Sequence, residues 1–144
     1  MFSQSCIDLV KKFEGCRLTA YPDPGTGGAP WTVGYGHTSG VVPGLTITQA
    51  QADVWLKQDL DKANKDMHSL VNCPLRQCQE DALTSFVYNC GKHNFENSTL
   101  RIKVNTGKMD EAAKEFDKWV NAAGKPLPGL VKRRAAERAL FEGK

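Results

Sequence analysis

The sequence predicts an α+β fold, with a small N-terminal β lobe and a larger helical lobe. Residues 13–38 contain six glycines, three prolines and four aromatic residues. Such a composition interrupts helices and is typical of short strands joined by tight turns. Residues 48–70 instead carry one apolar stripe at steps of three and four positions. That period predicts a long amphipathic helix, which would connect the two lobes.

The remaining elements follow from the same local signals. Apolar residues at helical spacing predict a first helix over 4–14, which Gly15 would end. Aromatic and β-branched residues predict strands over 18–21 and 31–35. Further helices are predicted over 48–70, 74–90, 99–104, 111–122 and 129–142.

The length of 144 residues is sufficient for one domain with a buried core. Within this domain we expect the β lobe over about 15–47 and the helical lobe over 1–14 and 71–144. The connecting helix would occupy 48–70.

Composition and charge exclude several classes of protein. Apolar residues make up 40% and charged residues 24%, as in soluble globular proteins. No apolar run reaches the roughly 20 residues needed to cross a bilayer, and no signal peptide is visible. The net charge is only +3, and the basic cluster near the C-terminus fits a solvated helix face. We therefore expect no nucleic-acid partner and no stable membrane anchor. The cluster consists of Lys132, Arg133, Arg134 and Arg138.

The five cysteines do not form a recognisable metal or disulfide pattern. Cys78 and Cys90 would share a helix, and about 18 Å along its axis is too far for a bridge. The CxxC pairs typical of zinc sites are missing, so no metal site is predicted. Cys6, Cys16 and Cys73 complete the set. We expect mainly buried apolar thiols.

Two acids and a hydroxyl residue are the candidates for chemistry. Glu14 and Asp23 lie nine positions apart, and Thr32 follows after another nine. Glu14 would end a helix, where the negative end of the macrodipole favours the neutral acid. Asp23 lies between two prolines in a polar turn. Carboxyl groups in two such settings suit glycoside hydrolysis, although a helix-ending Glu and a turn-forming Asp are common by chance.

Two motifs make the sequence resemble a known family. They are EGxRLxxYxD over residues 14–23 and WTxGYGH over residues 31–37. Further matches cover residues 74–91, 98–100 and 127–141. Together they resemble the T4-lysozyme-like phage lysozymes, and especially the endolysins of lambdoid and P22-like phages. The resemblance covers the chain from about residue 5 to 141.

This resemblance implies a lysozyme-like fold with the active-site cleft between the lobes. It implies hydrolysis of the β-1,4 bond between N-acetylmuramic acid and N-acetylglucosamine in bacterial peptidoglycan, for lysis of the host cell. The family's catalytic residues fall on Glu14, Asp23 and Thr32. Glu14 would be the general acid, and the other two would position water, which implies inversion. No cofactor and no metal are implied.

The resemblance also implies substrate contacts and a cellular setting. Thr38, Tyr88, Thr99 and Arg133 fall at substrate-binding positions, whereas His37 matches a structural histidine without a catalytic role. The turn between Asp23 and Thr32 is longer than in the T4 enzyme. We expect a monomer that is made in the host cytoplasm and reaches the cell wall in the periplasm through a holin.

Two alternative functions and one disulfide hypothesis remain open at this point. A lytic transglycosylase would cleave the same polymer with an anhydro product, and an inactive module would only bind peptidoglycan. Within a lysozyme fold, Cys6 and Cys78 lie on helices that pack together, so a disulfide between them is a hypothesis.

Overall fold

The computed structural model describes residues 1–24, 26–122 and 124–144. These residues form seven α-helices and two small antiparallel strand pairs, which confirms the predicted α+β class. The helices are α1 Gln4–Glu14, α2 Gln49–Leu70, α3 Gln77–Cys90, α4 Lys92–Glu96, α5 Thr99–Asn105, α6 Met109–Glu115 and α7 Pro128–Phe141. The strands are β1 Arg17–Tyr21, β2 Thr32–Gly34, β3 Asn121–Ala122 and β4 Lys125–Pro126, and a 3-10 turn covers Phe116–Lys118.

The chain divides into two compact units. The sheet unit comprises residues 10–59, and the helical unit comprises residues 1–9 and 60–144. Helices α1 and α2 contribute residues to both units. Within the described ranges, every helix is too short or too polar to cross a membrane.

The sheet unit is built on the antiparallel pair β1–β2. Arg17 lies opposite Gly34 and Tyr21 lies opposite Thr32, with an irregular register between these two pairs. The segment 45–47 adds two further backbone bonds to β1, each of 2.8 Å. The buried apolar residues of this unit are Val10, Val33, Tyr35, Ala52 and Leu56.

Gly34 allows the sheet to approach α2 closely. Its φ is +65°, a conformation that L side chains rarely adopt. A Cβ at this position would also lie 3.4 Å from the Cβ of Ala52. The positive φ therefore favours glycine at this position, and a side chain there would be in contact with α2.

The helical unit is organised around α3. Phe86 on this helix is fully buried and meets the rings of Phe95, Phe116 and Trp119 edge-on. The ring centroids are 6.0, 5.7 and 5.5 Å apart, which is a favourable separation for such pairs. These contacts make Phe86 the centre of the core of this unit.

Two predicted helix boundaries are wrong. The helix expected from residue 74 begins at Gln77, because Arg76 is extended and its backbone N–H donates to Gln79 Oε1 at 2.9 Å. The helix expected over 111–122 is α6, which ends at Glu115 and continues only as the 3-10 turn. The Trp119 carbonyl accepts a bond of 2.9 Å from Arg134 instead of a helical one. Helix α4 and the β3–β4 pair were not predicted.

All five cysteines are free thiols, so the hypothesised Cys6–Cys78 bridge is not formed. Burial, with a smaller effect of Asp81, raises the pKa of the Cys6 thiol to about 12. The Cys78 thiol donates instead to the carbonyl of Phe141 at 3.7 Å. The Cys78 sulfur therefore lies against the last residue of α7, and not against the Cys6 thiol.

Candidate active site

Glu14 is the last residue of α1 and is half-buried. The next residue, Gly15, has a φ of +68° and donates its N–H to the Lys11 carbonyl at 3.1 Å. This left-handed residue ends the helix and turns the chain into β1, which begins at Arg17. The carboxyl group of Glu14 is thus carried at a fixed helix end, as the sequence predicted.

Asp23 lies in the loop that follows β1 and is also half-buried. Its carboxylate oxygen Oδ2 accepts the backbone N–H of Thr26 at 3.1 Å. Its own N–H donates to the Gly28 carbonyl at 2.9 Å, and its carbonyl accepts from Gly27 at 2.8 Å. A side chain that bonds the backbone of its own turn has little rotational freedom. The loop therefore holds the Asp23 carboxylate in one orientation.

The hydroxyl of Thr26 closes the same loop. It donates to the Ala29 carbonyl at 2.9 Å and accepts from the Gly28 N–H at 3.2 Å. Thr26 thus bonds the loop through its hydroxyl and Asp23 through its backbone. The glycines and prolines of this stretch predicted only a turn. An Asp three positions before a Thr is the turn signal that could have identified the role of Thr26.

Thr32 begins β2 opposite Tyr21, the last residue of β1. Asp23 follows Tyr21 by two positions, so the strand pairing places Thr32 and Asp23 at the same end of the pair. Thr32 is half-buried, and its hydroxyl donates a long bond of 3.5 Å to the Pro30 carbonyl. The register of β1 and β2 thus places Thr32 and Asp23 near each other in the sheet unit.

His37 has a structural setting, as expected. Its Nδ1 lies 2.7 Å from Asp59 Oδ2, and its ring stacks on Trp55 with centroids 4.3 Å apart. The His37 backbone exchanges two bonds of 2.9 Å with Val33. This histidine therefore fastens the turn after β2 to α2.

The candidate substrate-binding residues fall in both units. Thr38 belongs to the sheet unit and is exposed, whereas Tyr88, Thr99 and Arg133 belong to the helical unit. Thr99 is exposed at the start of α5, and Tyr88 is half-buried near the end of α3.

Arg133 belongs to a buried ionic cluster that the sequence analysis did not identify. Its Nε donates to Glu137 at 3.3 Å, and Arg134 donates to the other oxygen of the same carboxylate. The Ser85 hydroxyl from α3 also donates to Glu137, at 2.5 Å. An acid three and four positions after two arginines is the signal that could have revealed this pairing.

The basic cluster near the C-terminus is therefore not a solvated face, and that expectation is wrong. Arg133 and Arg134 are 3% and 1% exposed and their guanidinium groups pair with Glu137. Arg138 pairs with Asp117, and Lys132 is exposed. Within the described ranges, no three His, Cys, Asp or Glu side chains cluster as a metal site would require.

The fold is that of the lysozyme-type hydrolases. The chain matches the solved muramidase domain of SpmX from Asticaccaulis excentricus with a TM-score of 0.90 and 37% identity. The match covers 98% of this chain and 97% of that one.

The family follows from the sequence comparison. The model of the phage lysozyme family matches residues 11–137. The endolysin of Acyrthosiphon pisum secondary endosymbiont phage 1 is 43% identical, with 97% of each chain covered. The endolysin of Salmonella phage P22 is 41% identical, with 96% of each covered. The chain therefore belongs to the phage lysozyme family. It spans about half, 53%, of the endolysin of Bacillus phage B103.

Proposed function

We propose that the chain is an endolysin that hydrolyses the β-1,4 bond between N-acetylmuramic acid and N-acetylglucosamine in peptidoglycan. The observation that carries the proposal is the placement of Glu14, Asp23 and Thr32 in one compact unit of a phage lysozyme fold. One carboxyl group ends a helix, and the other is held by its own loop beside a hydroxyl residue. Two carboxyl groups in different environments can serve as the acid and the base of one reaction.

Each of the three residues has a defined task in the reaction. Glu14 donates its proton to the glycosidic oxygen as the bond to the anomeric carbon breaks. Asp23 and the Thr32 hydroxyl hold a water molecule on the opposite face of the sugar. The water oxygen attacks the anomeric carbon while the Asp23 carboxylate accepts a proton from the water. The product is an inverted reducing-end sugar, and proton exchange with solvent restores both acids. Inversion requires room for this water, with carboxyl groups roughly 6.5–9.5 Å apart.

The Asp23 loop explains how the water is oriented. One oxygen of the carboxylate accepts the backbone N–H of Thr26, which fixes the plane of the carboxyl group beside the water. A carboxylate with a fixed plane directs its lone pairs to one place, which favours a single attack geometry. Thr38, Tyr88, Thr99 and Arg133 remain predictions as substrate-binding residues.

The proposal extends to the cellular setting. The chain would act as a monomer on the cell wall after leaving the host cytoplasm through a holin, and two of its relatives described above are named endolysins. Some relatives are named SAR-endolysins, among them that of bacteriophage PS119.

The test compares wild type with Glu14→Gln in a peptidoglycan turbidity assay, with mass analysis of the released fragments. We expect the variant to lose about 10²–10⁴-fold in rate, because proton donation is removed without a change in shape. Glu111→Gln is the matched control, since this exposed acid pairs with Lys103 on the helical unit.

The products decide between the alternatives. Reducing-end muramic acid would support the proposal. Anhydro sugars would assign a lytic transglycosylase, and binding without any release of fragments would assign a binding module. A Glu14→Gln variant as active as Glu111→Gln would contradict the role of Glu14.

A further inference from the structure

A polar network connects the last turn of α1 with the turn that follows β2. Its members are Lys11, Tyr35, Gln49 and Asp53, and we refer to them as the Lys11 network. The Lys11 ammonium lies 3.1 Å from Asp53 Oδ1 on α2 and 5.3 Å from the centre of the Tyr35 ring. Lys11 lies about one helical turn before Glu14, so the network holds the helix close to that residue.

Gln49 is the connecting member. Its amide nitrogen donates to the Tyr35 hydroxyl at 3.0 Å and to Asp53 Oδ1 at 3.1 Å. Both amide hydrogens are used in this way, and the opposite orientation would place the amide oxygen against a carboxylate. The Cys16 thiol adds a weak bond of 3.7 Å to the amide oxygen. The amide therefore has one favourable orientation.

Tyr35 gives the network a rigid attachment to the strand pair. Its side chain is buried, and it lies between Gly34 and Gly36, whose φ values are +65° and +95°. The mutual bonds between Val33 and His37 close this turn. Because the turn follows β2 directly, the network extends from the helix that ends in Glu14 to the strand that begins with Thr32.

The charges of the network are complementary. Hydrogen bonds from Lys11 and then from Gln49 lower the pKa of the Asp53 carboxyl, so the ionised form is the one that the network stabilises. Lys11 and Asp53 are partly exposed, with side-chain exposures of 35% and 45%. Exposed pairs of this kind contribute little to stability. Their removal should therefore leave the fold intact, so an effect on the reaction can be measured separately.

We propose that Lys11, Gln49 and Asp53 are positioning residues for the hydrolysis. They hold the end of α1 against α2 and the Tyr35 turn, so that Glu14 keeps one distance from Asp23 and Thr32. They act through the backbone of α1 and of the Tyr35 turn. The inference rests on the function proposed above. Small displacements of a catalytic group can cost large factors in rate, which is why such a network affects turnover.

The test measures kcat and KM on soluble glycan strands for Lys11→Met and Asp53→Asn. We expect kcat to fall about tenfold, with KM and the melting temperature unchanged. Lys12→Met and Asp61→Asn are matched controls on the same two helices, and they should retain wild-type rates. Lys11→Arg should restore kcat, because a guanidinium group also pairs with a carboxylate.

The double variant Lys11→Met/Asp53→Asn tests whether the residues act as a unit. We expect it to lose no more than either single variant. Losses that multiply would overturn the proposal, as would wild-type kcat in both single variants. A loss of kcat that accompanies a lower melting temperature and disappears on cooling would also overturn it.

Glu14→Gln, assayed in parallel, separates the two proposals. If Glu14→Gln is inactive while Lys11→Met and Asp53→Asn both keep the wild-type kcat, only the positioning role fails. If Glu14→Gln keeps its activity, the proposed function itself fails.

Discussion

At the scale of single residues, Asp23 and Glu14 differ in how they are held. Glu14 depends on the position of α1, since its own backbone belongs to the helix end. Asp23 depends on a loop that bonds to itself through Thr26, Gly28 and Ala29. A change in the loop should therefore affect Asp23 without moving Glu14.

Thr26 offers the direct test of this separation. Thr26→Ala removes the hydroxyl that joins Ala29 to Gly28, while Thr26→Ser keeps it. We expect kcat to fall about tenfold in the alanine variant. The loop then lacks the two hydroxyl bonds that hold the Thr26 backbone N–H against the Asp23 carboxylate. The serine variant should be close to wild type.

Thr106→Ala is the control for this experiment, since its hydroxyl also bonds a local carbonyl, that of Ile102 at 2.9 Å, but in the helical unit. An alanine variant at residue 26 with the same kcat as the control would show that the loop does not need this hydroxyl.

The sequence identified the candidate acids but not what supports them. Glu14 and Asp23 were recognisable because their neighbours, a helix-ending Gly and two prolines, are local signals. Thr26 was not, because its role depends on which carbonyl it meets when the loop closes. The Lys11 network joins residues up to 42 positions apart, and no local pattern indicates such a contact.

At the scale of elements, the bounds of α7 were predicted closely from its sequence, but the burial of its charged side chains was not. The helix was predicted over 129–142 and lies at Pro128–Phe141. Its arginines were assigned to a solvated face, yet Arg133 and Arg134 are buried against α3. Arginine is normally exposed, so composition alone predicts a solvated face here. The pairing with Glu137 is what permits burial.

Glu137 should be essential to the stability of the helical unit. Glu137→Gln leaves two buried guanidinium groups without their carboxylate, at a cost of about 3–5 kcal/mol in the free energy of unfolding. The melting temperature should fall by roughly 10 °C. Thermal unfolding followed by circular dichroism measures this change.

The exposed pair Lys103–Glu111 provides the comparison for that variant. Its loss in Glu111→Gln should cost no more than about 1 kcal/mol. Equal melting temperatures for the two variants would contradict the importance of the buried cluster.

At the scale of the whole molecule, Glu80 links stability to pH. Burial alone would raise the pKa of this carboxyl group. Hydrogen bonds from the Met1 ammonium, from His68 and from Asn64 outweigh burial and lower the pKa to about 2. Because the folded pKa lies below the ordinary value of 4.5, Glu80 stabilises the fold fully above about pH 4.5. This stabilisation is lost as the pH falls towards 2.

Denaturant unfolding between pH 6 and 2 tests this linkage in wild type and Glu80→Gln. We expect the wild type to lose stability more steeply below pH 4.5, by up to about 1.4 kcal/mol per pH unit. The two proteins should converge near pH 2. Parallel curves would show that Glu80 does not titrate between these values.

The family and the fold class were predictable because the motifs and the helical period are local. The way in which residues divide between the compact units was not. The sheet unit takes the end of α1 and the first half of α2, since Val10, Ala52 and Leu56 are buried within it. The unit to which each part of α1 and α2 belongs depends on side-chain packing, and the period of the apolar residues does not indicate this packing.

The stacking of His37 on Trp55 gives the protein an optical probe of its own. The fluorescence of Trp55 depends on its stacking with His37 in the sheet unit. The fluorescence of Trp119 depends on its edge-on contact with Phe86 in the helical unit. An indole that loses an aromatic contact changes its emission. Variants with Trp55 or Trp119 as the single tryptophan, and the other two of the three replaced, would therefore follow each unit separately during unfolding. Coincident transitions would indicate a single cooperative unit, and separate ones would give the order in which the two units melt.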